Sequence, residues 1–173
     1  MTVTGILVSE QEYLHTIYEP DVEFVNGVIE ERYMGEQEHS AWQEALILWF
    51  GGHRKEWQLR ARPELRVNVA PGRFRVPDIT LVGAGQLQDR ILNRPPVAVF
   101  EILSPEDRVS RIFEKLEEYE RMGIPNIIIV EPSGGRLHRR YVNGQMIPCF
   151  EGILHLDATE AFIDWKEIEA LLE

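Results

Sequence analysis

The sequence predicts one α/β domain in which a mixed sheet is flanked by helices. Three observations carry this: a strand-helix-strand unit over residues 97–130, Asn-Gly turns between short apolar runs, and 173 residues of which 44% are hydrophobic, enough for a core of ordinary domain size. In the first unit, Val97-Ala98-Val99-Phe100-Glu101-Ile102-Leu103 is apolar but for one carboxylate, as suits a central strand buried on both faces. Asn126 to Val130 is a second such strand. A right-handed crossover between them makes the two parallel, while hairpins elsewhere add antiparallel pairs.

The elements follow in order. Ser9-Glu10-Gln11-Glu12 has the form of a capping box and opens a short helix, Ser9 to Ile17, which Pro20 ends. Val22 to Val25 and Val28 to Tyr33 flank Asn26-Gly27, the pair that best tolerates the positive φ of a two-residue hairpin turn. From His39 to Phe50, Ala41, Trp42, Ala45, Leu46, Leu48 and Trp49 recur at helical spacing, with Gly51-Gly52 as the stop. Leu65 to Val69 and Phe74 to Val82 read as strands joined by a Pro71-Gly72 turn. Ser104-Pro105-Glu106-Asp107 opens a helix whose apolar stripe is Val109, Ile112, Phe113, Leu116, Tyr119 and Met122, closed by Gly123. Short strands follow at Arg136 to Tyr141, Gln145 to Phe150 and Gly152 to Leu156, with turns at Gly134-Gly135 and Asn143-Gly144, and Asp164 caps a last helix. No linker or repeat divides residues 1–173.

Charge narrows the function. Eighteen Lys and Arg against 29 Asp and Glu leave a formal −11, which argues against coating nucleic acid by bulk electrostatics. The excess is uneven: −7 over residues 1–60, +2 over 61–140 and −6 over 141–173. The lone Cys149 excludes an internal disulfide or a multi-cysteine metal site and suits a small core position. No run approaches the roughly 18 apolar residues of a membrane helix, and Met1 to Glu12 lacks a basic signal region. A cytoplasmic protein with no membrane partner is expected.

Glu101 is the most informative residue, because a carboxylate on a doubly buried strand must be paired or bound to a metal. Asp78 follows Pro77, whose place in a strand is an edge or a bulge, and bulges re-aim side chains. Two carboxylates on neighbouring strands with a main-chain carbonyl suit a hard cation such as Mg²⁺. Counted back from Ser104, Lys115 lies about 16 Å along its helix and Glu101 about 10 Å along its strand, a gap a lysine side chain spans. Plainer readings stand beside these. Asp78 suits a turn, Glu101 could pair with Arg75 or Arg108, Lys115 could be solvated, Glu23 could pair with Arg32, and His39 could be a surface residue. Trp42, Trp49, Phe113 and Tyr119 are simplest as core.

Taken together, Val22-Glu23-Phe24-Val25-Asn26-Gly27, His39, Val76-Pro77-Asp78, Phe100-Glu101-Ile102-Leu103-Ser104-Pro105, Glu114-Lys115 through Tyr119, and Gly123-Ile124-Pro125 followed by a strand and Glu131-Pro132 resemble a large bacterial family named as putative restriction endonucleases, within the PD-(D/E)xK nuclease superfamily. The resemblance spans about residues 8–132. It implies a restriction-endonuclease-like αβββαβ core at about 36–132, with an N-terminal helix and hairpin and C-terminal short strands plus a helix. It also implies a nuclease, acting first of all on DNA, in which Asp78, Glu101 and the backbone carbonyl of Ile102 hold Mg²⁺, with Mn²⁺ as the alternative ion. Leu103 stands where the superfamily has its lysine, and the family resemblance implies that Lys115 supplies that group from the helix. Glu23 and His39 match family positions, which implies a metal-shell or phosphate-contacting role for each. Glu131 stands where relatives more often have Asp. A non-catalytic nucleic-acid-binding or interaction module, or another metal-assisted hydrolase on the same scaffold, remains open. A C₂ homodimer would suit cutting both strands, though no residue marks one.

Overall fold

Local signals set the first elements. In the computed structural model, which describes residues 7–32, 36–105, 107–132, 137–149 and 151–172, Ser9 Oγ accepts from the Glu12 N–H at 3.1 Å and opens α1 (Glu10–His15). That helix ends two residues before the expected Ile17. β1 (Val22–Val25) and β2 (Val28–Glu31) form the expected hairpin, with Asn26 and Gly27 at φ +50° and +88°, the left-handed pair a tight turn requires. α2 (Gln37–Gly52) runs through Gly51-Gly52 rather than stopping before them, and ends at His53. Expectations for Tyr33, Glu106, Gly134-Gly135, Arg136 and Phe150 lie outside the described residues.

The middle of the chain departs further. β3 (Leu59–Pro63) is an unanticipated strand. It lies at a sheet edge, where alternating arginines and a terminal proline are tolerated. β4 (Val67–Ala70) and β5 (Arg73–Arg75) make the expected hairpin. The run from Phe74 to Val82 is not one strand: β5 ends before Val76-Pro77-Asp78, and β6 (Ile79–Gly83) then enters a different sheet. Pro77 has no N–H for a ladder, so pairing breaks there and the chain changes sheets.

β7 (Ala98–Ile102) and β8 (Ile127–Val130) are parallel and connected through α3 (Val109–Met122). α3 starts later than Ser104-Pro105 suggests. Asp107 N–H donates to the Ser104 carbonyl at 3.0 Å and Ser104 N–H to Asp107 Oδ2 at 2.7 Å, so the serine and acid close a turn instead of a helix cap. Gly123, at φ +89°, ends α3 in the left-handed cap. β9 (Arg139–Val142) and β10 (Gln145–Pro148) follow across the Asn143-Gly144 turn. β11 (Ile153–His155) pairs with β12 (Phe162–Asp164), and Asp164 caps α4 (Trp165–Glu169) through the N–H groups of Lys166 and Glu167.

The main sheet has the order β10-β9-β8-β7-β6-β3, and a smaller one the order β2-β1-β5-β4. Taken as α2-β3-β6-β7-α3-β8, the chain is an αβββαβ core with the β4–β5 hairpin inserted. Strand alternation divides the interior. Ile79, Leu81, Ala98, Phe100, Ile102, Ile128 and Val130 pack with α2 and α4, while Val82, Val99, Ile127 and Ile129 pack with Leu116 and Tyr119 of α3 and with Val67 and Val69 of the small sheet. α3 therefore lies between the two sheets. Its buried residues include Lys115, Leu116, Glu118 and Tyr119, whereas Val109 is 68% exposed, so the helix is rotated toward its polar side relative to the apolar stripe. Among the described residues, no helix is long and apolar enough to cross a membrane.

Candidate active site

Period-two alternation places the buried charges. Phe24 and Phe74 join Tyr13 under α1, so Glu23 on β1, and Arg73 and Arg75 on β5, project from the opposite face of the small sheet, toward α3. Glu101 lies on β7 between Phe100 and Ile102, which pack toward α2, and so it also projects toward α3. Asp78 is held where the chain crosses between sheets.

These side chains meet at a pocket of about 50 Å³ whose lining includes Arg32, His39, Asp78, Glu101, Ile102 and Lys115. Lys115 Nζ lies 2.7 Å from Glu101 Oε2 and 3.0 Å from Glu23 Oε1. Tyr119, one helical turn on, donates to Glu101 Oε1 at 2.6 Å. Asp78 Oδ1 takes Arg32 at 2.7 Å and His39 Nε2 at 3.3 Å, and Asp78 Oδ2 accepts the Ile102 N–H at 2.7 Å. The Asp78 carbonyl is fixed in turn by Gln43 Nε2 at 2.9 Å.

Of the residues singled out from sequence, Asp78, Glu101, Ile102, Lys115 and His39 line this one pocket. Glu23 stands one step behind, fully buried. Neither Arg75 nor Arg108 is the hydrogen-bonded partner of Glu101, since Lys115 and Tyr119 take its two oxygens. Glu23 does not pair with Arg32 across the hairpin. Arg75, Arg111 and Lys115 hold it, and it accepts the Val76 N–H at 3.2 Å. Tyr119 is a buried hydrogen-bond donor as well as a core residue, and Phe113 is 36% exposed rather than core. Arg32, Arg75, Arg111 and Tyr119 were not anticipated as parts of the site. Two signals were available: Tyr119 lies four residues from Lys115 on one helix face, and the Arg73-Phe74-Arg75 alternation turns both arginines away from the apolar side.

Behind the pocket, Arg75 is wholly buried and contacts Glu23 at 3.0 Å, Glu30 at 3.0 Å and Glu118 at 2.6 Å. Arg73 also pairs with Glu118. This layer supports Glu23, and Glu23 supports Lys115. The mildly basic segment is also partly neutralised, in part by the acidic ends of the chain: Arg66 pairs with Asp21, Arg140 with Asp157 and Arg139 with Glu131.

Ionisation follows the geometry. Burial drives Glu101 up to about 7, reinforced by the charges of Asp78 and Glu23 and opposed by Lys115. Burial would lower Lys115, but Glu101, Glu23 and Asp78 outweigh it and hold the ammonium charged. Asp78 is held below its usual value because His39 and Arg32 overcome the cost of burial. Asp78 in turn pushes His39 toward its protonated form.

Burial would raise Glu23 as well, yet Lys115, Arg75 and Arg111 bring it from 4.5 to about 2. A depressed carboxylate stabilises the fold above its unfolded value and loses that contribution as pH falls through the folded one. At 1.36 kcal/mol per pKa unit the contribution is about 3 kcal/mol, present above pH 4.5 and lost between about 4.5 and 2. Urea unfolding should show this component of acid sensitivity in the wild type and its absence in Glu23→Gln.

The donor set bears on which ion could be held. Asp78 and Glu101 supply carboxylates. In an extended residue the N–H and C=O point to the same side, so the Ile102 carbonyl faces the side on which its N–H meets Asp78. Among the described residues, no group of three or more His, Cys, Asp or Glu is placed to hold a metal. Asp78 and Glu101 offer the chemistry that a small hard ion takes when it binds one or two carboxylates and completes its shell with water.

The αβββαβ core is the restriction-endonuclease-like fold, with Asp78 just before β6 and Glu101 on the neighbouring β7. A crystal structure of a putative nuclease of DUF820 from Anabaena variabilis ATCC 29413 shares it, with a TM-score of 0.79 at 19% identity over 96% of this chain and 99% of that one. The chain belongs to the Uma2 family, described as putative restriction endonuclease, whose model matches residues 11–161. A cryo-EM structure of a DrdV–DNA complex aligns only weakly, at a TM-score of 0.38 and 17% identity over 79% of this chain and 14% of that one. No curated protein matches the chain.

Proposed function

We propose that this protein is a Mg²⁺-dependent nuclease that hydrolyses phosphodiester bonds in DNA. The observation that carries the reading is the convergence of Asp78, Glu101 and Lys115, from the β5–β6 crossing, strand β7 and helix α3, on one pocket. Asp78, Glu101 and the Ile102 carbonyl would hold the ion. When bound, Mg²⁺ supplies Lewis-acid polarisation of the phosphate and a more acidic water. The scissile phosphate would lie at the mouth of this pocket, beside the ion.

Lys115 keeps its proton, held by Glu101 and Glu23, and acts as a fixed cation and donor toward charge developing on the phosphate. Tyr119 and Lys115 together fix the Glu101 rotamer, each taking one of its oxygens. Removing the cation without removing its neighbours isolates this role. At saturating metal, Lys115→Met should lower turnover by about a hundredfold. Unchanged turnover would sink the assignment.

The reading itself is tested by incubating the protein with plasmid, linear and single-stranded DNA and with RNA, in Mg²⁺ or Mn²⁺, beside Asp78→Ala. Cleavage of DNA that requires the metal and disappears in the variant supports it. Cleavage that survives Asp78→Ala removes the site. Mn²⁺ binding that needs Asp78, without cleavage of any substrate, would instead identify a non-catalytic nucleic-acid-binding or interaction module.

A further inference from the structure

We propose that Arg32 is the residue that receives a substrate phosphate, and that in the substrate-free protein it serves as the internal counter-ion of Asp78, so that metal and substrate load together. This rests on the metal-dependent reading above and adds a residue the chain uses for substrate.

Arg32 follows β2 and reaches over the pocket. Its guanidinium lies 2.7 Å from Asp78 Oδ1 through one nitrogen and 3.2 Å from Glu64 Oε1 through the other. The two partners differ. The Asp78 side chain is 8% exposed, whereas that of Glu64 is 52% exposed, and an exposed pair of that kind holds weakly. Glu64 is placed by its backbone: it sits at φ +51°, and its N–H donates to the Asp78 carbonyl at 3.3 Å. One edge of the guanidinium is thus committed to the candidate metal ligand and the other lies against a carboxylate that an incoming phosphate can displace.

Asp78 already carries Arg32 and His39 on Oδ1 and the Ile102 amide on Oδ2. A divalent cation at this carboxylate must either displace Arg32 from Oδ1 or bind Oδ2 beside a fixed positive charge. Either way the two cations compete. A phosphate at the pocket mouth relieves the competition by giving the planar guanidinium fork a partner with two oxygens to accept from it. Arg111, also at the rim, is committed elsewhere, to Glu23 and to the Glu31 carbonyl. Coupling of this kind is reciprocal: DNA tightens the metal, and the metal tightens DNA, by the same factor.

The test compares wild type, Arg32→Met and Arg32→Lys. Mn²⁺ binding is followed by electron paramagnetic resonance without and with a short DNA duplex, and binding of that duplex is followed with and without Ca²⁺. Arg32→Met should bind Mn²⁺ about tenfold more tightly than wild type, bind the duplex about tenfold more weakly, and lose most of the coupling. Arg32→Lys, which keeps the charge but not the fork, should leave Mn²⁺ affinity nearly unchanged and still weaken the duplex. Mn²⁺ binding that depends on Asp78 in wild type but is no tighter in folded Arg32→Met overturns the role of Arg32 alone. If neither protein binds Mn²⁺, or if binding survives Asp78→Asn, the metal-dependent reading falls and this inference falls with it.

Discussion

Glu101→Gln should reduce DNA cleavage by a hundredfold or more while leaving the protein folded and close to wild type in stability. The expectation comes from the two oxygens of Glu101, one accepting from Lys115 Nζ and the other from the Tyr119 hydroxyl. Glutamine has the same shape. Its carbonyl can accept from Lys115, and its amide can donate to the tyrosine oxygen, which accepts as readily as it donates. Lys115 retains Glu23 at 3.0 Å, so no buried cation is stranded. Removing a charge that burial already disfavours, as the rise of Glu101 to about 7 shows, costs the fold little. The chemistry has no such substitute, because the ion draws its negative charge from only two carboxylates and a neutral amide removes one of them. Single-turnover cleavage in Mg²⁺ and Mn²⁺, beside urea unfolding of the same preparations, separates the two effects. A variant that cleaves at the wild-type rate would exclude Glu101 from the site, and one that is unfolded would show that its charge is structural.

Arg75→Met should have the opposite profile, with its main effect on stability. Arg75 is fully buried and bridges Glu23, Glu30 and Glu118, the first and last of these also buried. Deleting one partner of a buried pair costs about 3–5 kcal/mol, because the remaining charge is left desolvated. Here Glu118 keeps Arg73, and Glu23 keeps Lys115 and Arg111, which places the cost near the lower end, about 3 kcal/mol. For a chain of this size that lowers the melting temperature by about 6–12 °C. Adding Glu118→Gln should restore part of the loss, giving a strongly non-additive double-mutant cycle. Additive losses would mean that the two side chains are energetically independent despite their 2.6 Å contact.

How much of this was legible in the sequence varies by element. The hairpins at Asn26-Gly27 and Asn143-Gly144, the parallel strands around α3 and the cap at Asp164 were all readable, because each depends on a few adjacent residues. The start of α3 was misplaced. Ser104, Pro105 and Asp107 have helix-capping chemistry, but the same groups can close a turn, and neighbouring sequence does not choose between the two. β3 went unread because its arginines dilute the apolar alternation that marks a strand.

The site was legible in its acids and not in its cations. Asp78 and Glu101 stood out because a carboxylate in an apolar strand is costly unless it is used, and family resemblance then pointed to Lys115. The partners of those groups could not be read: Arg32 meets Asp78 across 46 positions, and Arg75 meets Glu118 across 43. The apolar stripe also misled about α3, whose buried side carries Lys115 and Glu118.

The sequence by itself determined the order and type of most elements, the faces that strand alternation assigns to Glu23, Arg75 and Glu101, and the family. Tertiary structure decided that the run through Val76-Pro77-Asp78 divides between two sheets, that α3 lies between them, and which cation neutralises which buried acid. Local propensity acts over a few residues. Charge pairing in a desolvated layer depends on which distant surfaces the packed sheets bring within about 3 Å of one another.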